Sequence, residues 1–144
     1  MIIRGRFIGD APYFALHLRA THFQGLVWML ADTGASRTLL LDRDVRTLGI
    51  PAATLEPTVG TLVGIGGSVR SFSIRGVEIT WASDEGYERL PGQELWAVQH
   101  DLSQLPAGEV SRLLRLPSVL GRDLLNRVRF LCDYRTGIVQ LEEV

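Results

Sequence analysis

Residues 30–36 read Leu-Ala-Asp-Thr-Gly-Ala-Ser, and this stretch is the most informative part of the sequence. An acid, Asp32, ends an apolar run and is followed by the hydroxyl residue Thr33 and by Gly34. This order predicts one carboxylate held at the end of a strand and facing out of the core. The Asp-Thr-Gly triplet occurs once, so each chain supplies one such acid. The alternative is structural: Asp32 begins a turn, and Thr33 and Gly34 provide the turn geometry.

A glycine-rich segment at residues 63–68 reads Val-Gly-Ile-Gly-Gly-Ser. Gly64, Gly66 and Gly67 surround Ile65 between strand-like patterns, which predicts a mobile hairpin tip. A plain hairpin turn explains the same residues. Phosphate binding is another use of glycine-rich loops, but neither a lysine nor a helix start follows here.

A third motif, at residues 118–125, reads Ser-Val-Leu-Gly-Arg-Asp-Leu-Leu. Apolar residues ending at Leu120 precede Gly121 and Arg122, and a short amphipathic helix is predicted to follow. Because Gly121 has no side chain, it allows two backbone segments to approach closely. The alternative is that these residues only start the helix.

The spacing of apolar residues has a period of two over most of the chain, which is typical of strands. Residues 14–18 alternate and predict a half-buried strand. Residues 26–31 are apolar at every position and predict a strand covered on both faces. Residues 68–81 change register beside Gly76, which predicts a bulge or tight turn there.

The remaining segments combine polar stretches with short helical patterns. Residues 83–93 are polar and contain glycine and proline, so we expect a loop, and residues 94–100 predict a strand. Asp42 is expected to cap a helical turn that Gly49 ends. Helical spacing also occurs at residues 107–116 and 121–128, and a hairpin is predicted over residues 129–143. Many short strands with one or two short helices predict a mainly all-β domain, built as a closed barrel or a sandwich.

The composition is that of an ordinary globular domain, with 46% apolar and 22% charged residues. At 144 residues we expect a single domain over residues 1–144. The lone Cys132 cannot form an internal disulfide, and no apolar run is long enough for a membrane span or a signal peptide. A formal charge of −1 without a basic cluster argues against nucleic-acid binding. Dispersed histidines give no metal-ligand spacing, and we expect a cytoplasmic protein without a membrane partner.

Together and in this order, the three motifs resemble the retropepsin family of aspartic proteases, the retroviral-type single-lobe enzymes. The resemblance covers most of the chain, from about residue 12 to residue 142. It implies a retropepsin-like closed barrel or sandwich with a flap hairpin. In that family Asp-Thr-Gly is the catalytic loop, Gly-Ile-Gly-Gly the flap tip, and the apolar-Gly-Arg motif the start of the helix behind the site.

The resemblance implies an aspartic endopeptidase that is active as a homodimer. Because this chemistry needs two carboxylates that share one proton, Asp32 of a second copy has to complete the site. One Asp32 activates a water molecule, and its protonated partner polarises the scissile carbonyl. No cofactor and no metal are implied. The expected partners are a polypeptide in extended conformation and a second copy of the chain.

The resemblance also implies a role for individual residues. Asp32, Thr33 and Gly34 form the catalytic group, in which Thr33 interlocks the two loops and the Gly34 amide contacts the carboxylates. The other roles are substrate binding for Ala35, Ser36, Gly64, Ile65, Gly66 and Gly67, and structural support for Leu120, Gly121 and Arg122.

Two positions depart from the patterns of known relatives. Ser36 stands where retroviral enzymes usually have an acid that pairs with the arginine, so Arg122 lacks its expected partner. Ala35 lacks the hydroxyl that pepsin-like relatives commonly place there, which predicts activity at mildly acidic to near-neutral pH. The leucine-rich segment at residues 101–117 is longer than the retroviral loop, and it either lines the cleft or packs on the outside.

Two rival functions use the same fold. One is a non-catalytic dimeric peptide-binding module, and the other is a scaffold or adaptor whose dimer interface matters more than its cleft. The intact Asp-Thr-Gly triplet argues against the first, and the glycine-rich segment argues against the second. The terminal strands, near residues 2–7 and 138–143, are a hypothesis for the sheet that would join two copies.

Overall fold

The computed structural model describes residues 1–58, 62–64 and 67–143, which are mainly β with few short helices. The strands are β1 (Ile2–Arg4), β2 (Arg6–Ile8), β3 (Ala11–Arg19), β4 (Gln24–Ala31), β5 (Leu39–Leu40), β6 (Glu56–Pro57), β7 (Leu62–Gly64), β8 (Gly67–Ser83), β9 (Gly86–Gln99), β10 (Ser118–Leu120), β11 (Arg129–Asp133) and β12 (Ile138–Glu142). The helices are α1 (Asp42–Thr47), α2 (Ala107–Leu113) and α3 (Arg122–Leu125), with 3-10 turns at Ala52–Thr54 and Leu102–Gln104.

Six of the strands close into a barrel. They follow the order β3, β4, β10, β5, β9 and β8, and β8 pairs back onto β3. Most neighbours are antiparallel, but β10 is parallel to β4 and β5 is parallel to β9. The predicted fold class, a mainly all-β closed barrel, is therefore confirmed.

The two longest strands before the Asp-Thr-Gly motif differ in how they are buried. β3 alternates as predicted, whereas β4 buries only one face and leaves Leu26 61% exposed. The prediction that residues 26–31 are covered on both faces is therefore wrong. An apolar run does not reveal whether a second layer covers it, and the outward side of β4 has no complete cover among the described residues. The buried residues of the two strands include Phe14, Leu16, Leu18, Val27, Met29 and Ala31.

β8 and β9 form a long antiparallel hairpin with a bulge at the predicted position. The register shifts on both sides of Val77, and Gly76 has a φ of 68°, a backbone conformation that glycine adopts readily. The irregularity lets both Ile74 and Val77 face the core, although one lies at an even and the other at an odd position.

The same hairpin corrects the prediction of a loop at residues 83–93. β8 continues to Ser83, which pairs directly with Gly86 of β9, so the turn contains only two residues. Residues 86–93 are mostly exposed, and their polar side chains look like those of a loop. Backbone hydrogen bonds form a strand whatever the side chains are, so this part of the hairpin leaves no periodic apolar signal.

α1 begins and ends close to its predicted limits, but Asp42 does not cap it. Gly49, with a φ of 65°, follows the helix as expected. Asp42 lies inside the first turn, where its carboxylate accepts the His100 N–H at 2.8 Å and contacts His100 Nδ1 at 2.6 Å. The capping prediction is wrong because a distant partner occupies the carboxylate.

α2 forms within the predicted helical segment and buries none of its residues completely. α3 covers part of the second predicted helix, and Leu124 and Leu125 enter the core. Within the described ranges, no helix is both long and apolar enough to cross a membrane.

A separate three-stranded sheet, in the order β1–β12–β11, brings the first and last strands together. Ile2 pairs with Glu142, and β11 and β12 form the predicted hairpin. Hydrogen bonds from Thr136 and from the Arg135 N–H hold the pKa of Asp133 in the hairpin turn below its usual value. β1 thus has a partner within its own chain, and a role for these strands between two copies stays a prediction.

Candidate active site

Asp32 lies immediately beyond the end of β4, where β4 and β10 run parallel. Its N–H donates to the Leu120 carbonyl at 3.0 Å, which continues the pairing of the two strands. Ala31 is buried in the barrel, so strand alternation directs Asp32 outward, to the same side as Leu30. Asp32 is half-buried. This placement matches the expected carboxylate at a strand end that faces away from the core.

The loop after Asp32 folds back onto the carboxylate. The Gly34 N–H donates to Asp32 Oδ1 at 2.8 Å, and the Ala35 N–H donates to the Asp32 carbonyl at 3.2 Å. A Cβ on Gly34 would lie only 3.1 Å from Asp32 Oδ1, so glycine eases the approach of this amide. Thr33 and Gly34 are exposed. One carboxylate oxygen therefore has a backbone donor, while the outer side of the loop is open.

Gly121 brings the third motif into backbone contact with this loop. The Arg122 N–H donates to the Ala35 carbonyl at 2.8 Å. A Cβ on Gly121 would lie 2.4 Å from the carbonyl carbon and oxygen of Arg37 and 2.9 Å from the Thr38 nitrogen. The expected close approach of two backbone segments is therefore present, and it leaves no space for any side chain.

Arg122 has a partner that the sequence did not indicate. Its Nη1 donates to the Thr33 carbonyl at 2.8 Å. Ser36, which stands where a retroviral acid was expected, is exposed. A backbone oxygen of the Asp32 loop thus takes the place of the missing carboxylate, and Arg122 connects α3 to the loop through both its N–H and its side chain.

Thr38 and Asp123 form a polar pair that the sequence analysis missed. Asp123 Oδ1 accepts the Thr38 N–H at 2.9 Å, the Thr38 hydroxyl at 2.7 Å and the Leu124 N–H at 3.0 Å. The Thr38 hydroxyl in turn accepts the Gly121 N–H at 3.1 Å, and Thr38 is 1% exposed. The only local signal was an acid in the first turn of the short helix after Gly121.

Replacing Thr38 by Val is expected to lower the free energy of unfolding by about 2–3 kcal/mol. Valine has nearly the same shape, but it leaves the buried Gly121 N–H and the Asp123 carboxylate without the hydroxyl. Thr38→Ser is the matched control, because it keeps the hydroxyl and loses one methyl group, at about 1 kcal/mol. Urea denaturation of both variants measures the difference, and an equal loss for the two would contradict the assignment.

A second buried polar network lies at the other end of β10. The Ser118 hydroxyl donates to the carboxylate of Asp44 in α1, and the contact between Asp42 and His100 joins the same helix to the end of β9. Because Ser118 begins the strand whose last residue neighbours Asp32, this network is separated from the candidate site by the length of β10. It braces the barrel and contributes no group to the site.

The outward side of the barrel next to Asp32 carries a row of half-buried apolar side chains. Leu30 of β4 pairs with Val119 of β10, and Val119 pairs with Leu39 of β5. Leu39 in turn pairs with Trp96 of β9, and all four are half-buried. Adjacent strands are about 4.8 Å apart, so these four residues, here called the apolar row, extend over about 14 Å.

The glycine-rich segment belongs to the hairpin of β7 and β8. The two strands are antiparallel, and Gly64 pairs with Gly67. Ile65 and Gly66, the predicted tip, lie outside the described residues. Among the residues that the structure describes, no group of three His, Cys, Asp or Glu side chains is placed to hold a metal ion.

Comparison with solved structures identifies the fold. The chain aligns with the crystal structure of a retropepsin-like aspartic protease from Rickettsia conorii, with a TM-score of 0.56 and 21% identity over 98% of this chain and 97% of that chain. The fold is retropepsin-like. The EIAV protease complexed with the inhibitor HBY-793 aligns over 83% of this chain and 88% of that chain, with a TM-score of 0.49 and 18% identity. No protein-family model and no curated protein matches the sequence. The alignment with the Rickettsia conorii structure shows the fold alone, because its identity is only 21%, and the function has to be argued from the site.

Proposed function

We propose that the chain is an aspartic endopeptidase that acts as a homodimer. The observation that carries the proposal is the placement of Asp32, half-buried at the end of β4, facing outward and bound through one oxygen to the Gly34 amide. The retropepsin-like fold around it supports the same conclusion. Because one chain supplies one Asp-Thr-Gly acid, an identical chain supplies the second across a two-fold axis.

Two Asp32 carboxylates across that axis would share one proton, since two negative charges so close together cannot both be present. The ionised carboxylate removes a proton from a water molecule, and the water oxygen attacks the carbonyl carbon of the peptide bond. The protonated carboxyl group donates its proton to the carbonyl oxygen. The C–N bond of the tetrahedral intermediate then breaks as the carboxyl group that took the proton from water passes it to the leaving amine. The other carboxylate takes a proton from a hydroxyl of the intermediate, which leaves a carboxylic acid product and restores the shared proton.

The apolar row is where we expect the substrate to lie. Its side chains are on the same outward side as Asp32, and their half-burial leaves apolar surface to cover. Alternate residues of an extended peptide project to one side, so apolar residues near the cut can pack against the row. The β7–β8 hairpin, with Gly64 and Gly67 opposite each other, is the element expected to close over the peptide and add strand-like hydrogen bonds.

The direct test is digestion of a peptide library derived from a whole proteome, read by mass spectrometry at about pH 4 to 7. Purified wild type is compared with Asp32→Asn, which keeps an oxygen for the Gly34 amide. We expect cleavages with the wild type alone, with apolar residues next to the cut. Identical peptide patterns from both proteins, with a dimer confirmed in solution, would favour the non-catalytic peptide-binding module.

The pH profile tests the effect of Ala35. A hydroxyl that donates to an ionised carboxylate favours the charged form, and alanine provides none. We therefore expect an optimum at mildly acidic to near-neutral pH, and a shift of about one unit toward acid in Ala35→Ser. Ser36→Ala is the neighbouring control and is expected to leave the optimum in place. An optimum at about pH 2 in the wild type would contradict this explanation.

A further inference from the structure

Arg37 lies at the far end of the apolar row from Asp32. Its guanidinium carbon is 4.8 Å from the centre of the Trp96 ring, and Trp96 pairs with Leu39 in the row. Arg37 is exposed, whereas Trp96 is half-buried. A guanidinium that stacks on an aromatic face keeps its N–H edges free, and these edges match the two oxygens of a carboxylate.

The backbone of Arg37 is fixed by the same contacts that hold the Asp32 loop. The Arg37 carbonyl packs directly on Gly121, and the next residue, Thr38, is hydrogen-bonded to Asp123. Only the side chain of Arg37 is therefore free to move, and its stacking on Trp96 restricts this movement. A charged group held in this way loses little conformational freedom when it binds a ligand.

The charge of Arg37 is not neutralised by an ion pair within the described residues. The acid next to the stack is Glu94, which accepts the Trp96 indole N–H at 3.3 Å. The Ser73 hydroxyl and this indole N–H lower the pKa of Glu94, with smaller effects of Arg37 and Arg75. Glu94 is thus a charged neighbour that is engaged with Trp96, while Arg37 is available to an incoming anion.

The length of the apolar row indicates which residues of a bound peptide lie next to Arg37. The strand spacing separates the β4 and β9 ends of the row by about 14 Å, and an extended chain advances about 3.3 Å per residue. A peptide that follows the row from Asp32 therefore reaches the Arg37–Trp96 stack about four residues from the cut. In a symmetric dimer each half of the peptide meets one such stack.

We propose that Arg37, stacked on Trp96, is a specificity residue that selects acidic side chains on both sides of the cleaved bond. The inference rests on the proposed function in one respect, namely that a polypeptide binds along the face that carries Asp32. The substrate class that follows is extended segments with an apolar centre and Asp or Glu about four residues away from it.

Peptide binding to Asp32→Asn tests this inference separately from cleavage. The probes are fluorescent decapeptides with two central leucines and one Glu, placed in turn at each of the other positions, and matched peptides with Gln. We expect the Glu peptides to bind about fivefold more tightly when Glu lies about four residues from the centre, in low salt. Adding Arg37→Gln should remove the difference, and adding Arg37→Glu should reverse it toward peptides that carry Lys.

Two further variants define the controls. Arg89→Gln makes the same change in charge on the exposed β8–β9 hairpin and should keep the Glu preference. Glu94→Gln removes a neighbouring negative charge and should increase the preference for Glu peptides over Gln peptides. An equal affinity for Glu and Gln peptides, or a Glu preference that survives Arg37→Gln, would overturn the inference. Cleavage of the same peptides by wild type reports separately on the proposed activity, so a Glu preference without turnover would refute only the protease.

Discussion

Asp32→Asn is expected to lower the rate of peptide cleavage by about 10²–10⁴-fold without loss of stability. Asparagine still offers an oxygen to the Gly34 N–H, which donates to Asp32 Oδ1 at 2.8 Å, so the loop keeps its shape. It cannot take a proton from water or carry the negative charge of the pair. Steady-state kinetics with a cleaved library peptide measures the loss, and an unchanged unfolding temperature shows that the fold is intact.

The same variant is expected to inhibit the wild type when the two are mixed. A site shared between two chains works only in dimers in which both chains carry Asp32. With a tenfold excess of Asp32→Asn, about one in eleven wild-type chains finds a wild-type partner, so activity per wild-type chain falls about tenfold. A chain that carries a complete site would keep its full activity.

Subunit exchange has to be shown for this mixing experiment to be decisive. Chains with two different affinity tags, co-purified after mixing, report whether dimers have exchanged. The second control replaces the variant by an equal mass of an inert protein, which should leave the activity unchanged. Unchanged activity in mixtures that have demonstrably exchanged would refute the shared site.

Gly121→Ala is expected to destabilise the protein by about 3 kcal/mol and to remove activity. The new Cβ would lie 2.4 Å from the carbonyl carbon and oxygen of Arg37, and these are backbone atoms that cannot rotate away. Relief requires the β10–α3 connection to move away from the Asp32 loop. That movement would strain the contact between the Arg122 N–H and the Ala35 carbonyl, which joins the two segments. Thermal unfolding should shift down by about 10 °C.

Gly108→Ala provides the matched control for this substitution. Gly108 lies in α2, and a Cβ there would meet no atom within 4 Å. Alanine favours a helix relative to glycine, so we expect a change of about 0.5–1 kcal/mol in the stabilising direction. Equal unfolding temperatures for Gly121→Ala and the wild type would show that the loop tolerates the added group, contrary to the close approach of the two backbone segments.

Local patterns predicted much of this fold because each depends on residues close in sequence. The alternation in β3 follows from the two-residue period of a strand, and the slip at Gly76 marks a bulge that the backbone conformation of glycine allows. The position of Asp32 followed from an acid at the end of an apolar run. The approach at Gly121 was expected because glycine has no side chain and therefore allows two backbone segments to come close.

The features that were missed depend on partners far away in the sequence. Asp42 has the residue type of a helix cap, but His100, 58 positions later, occupies its carboxylate. Thr38 and Asp123 are 85 positions apart, and neither stands in a pattern that indicates the other. Arg122 binds a backbone carbonyl, which every residue offers and no sequence motif marks. Exposure of Leu26 depends on whether a second layer covers β4, which an apolar run does not reveal.

Because β1 pairs with β12 of the same chain, this part of the fold forms without dimerisation. Ile2 lies opposite Glu142 of the same chain, so β1 already has a partner strand without a second copy. At concentrations below the dissociation constant of the dimer, the midpoint of unfolding should then be independent of protein concentration, whereas turnover at a shared site would fall with dilution as dimers dissociate. A cell could then keep folded but inactive monomers, and the concentration of the chain would control the activity.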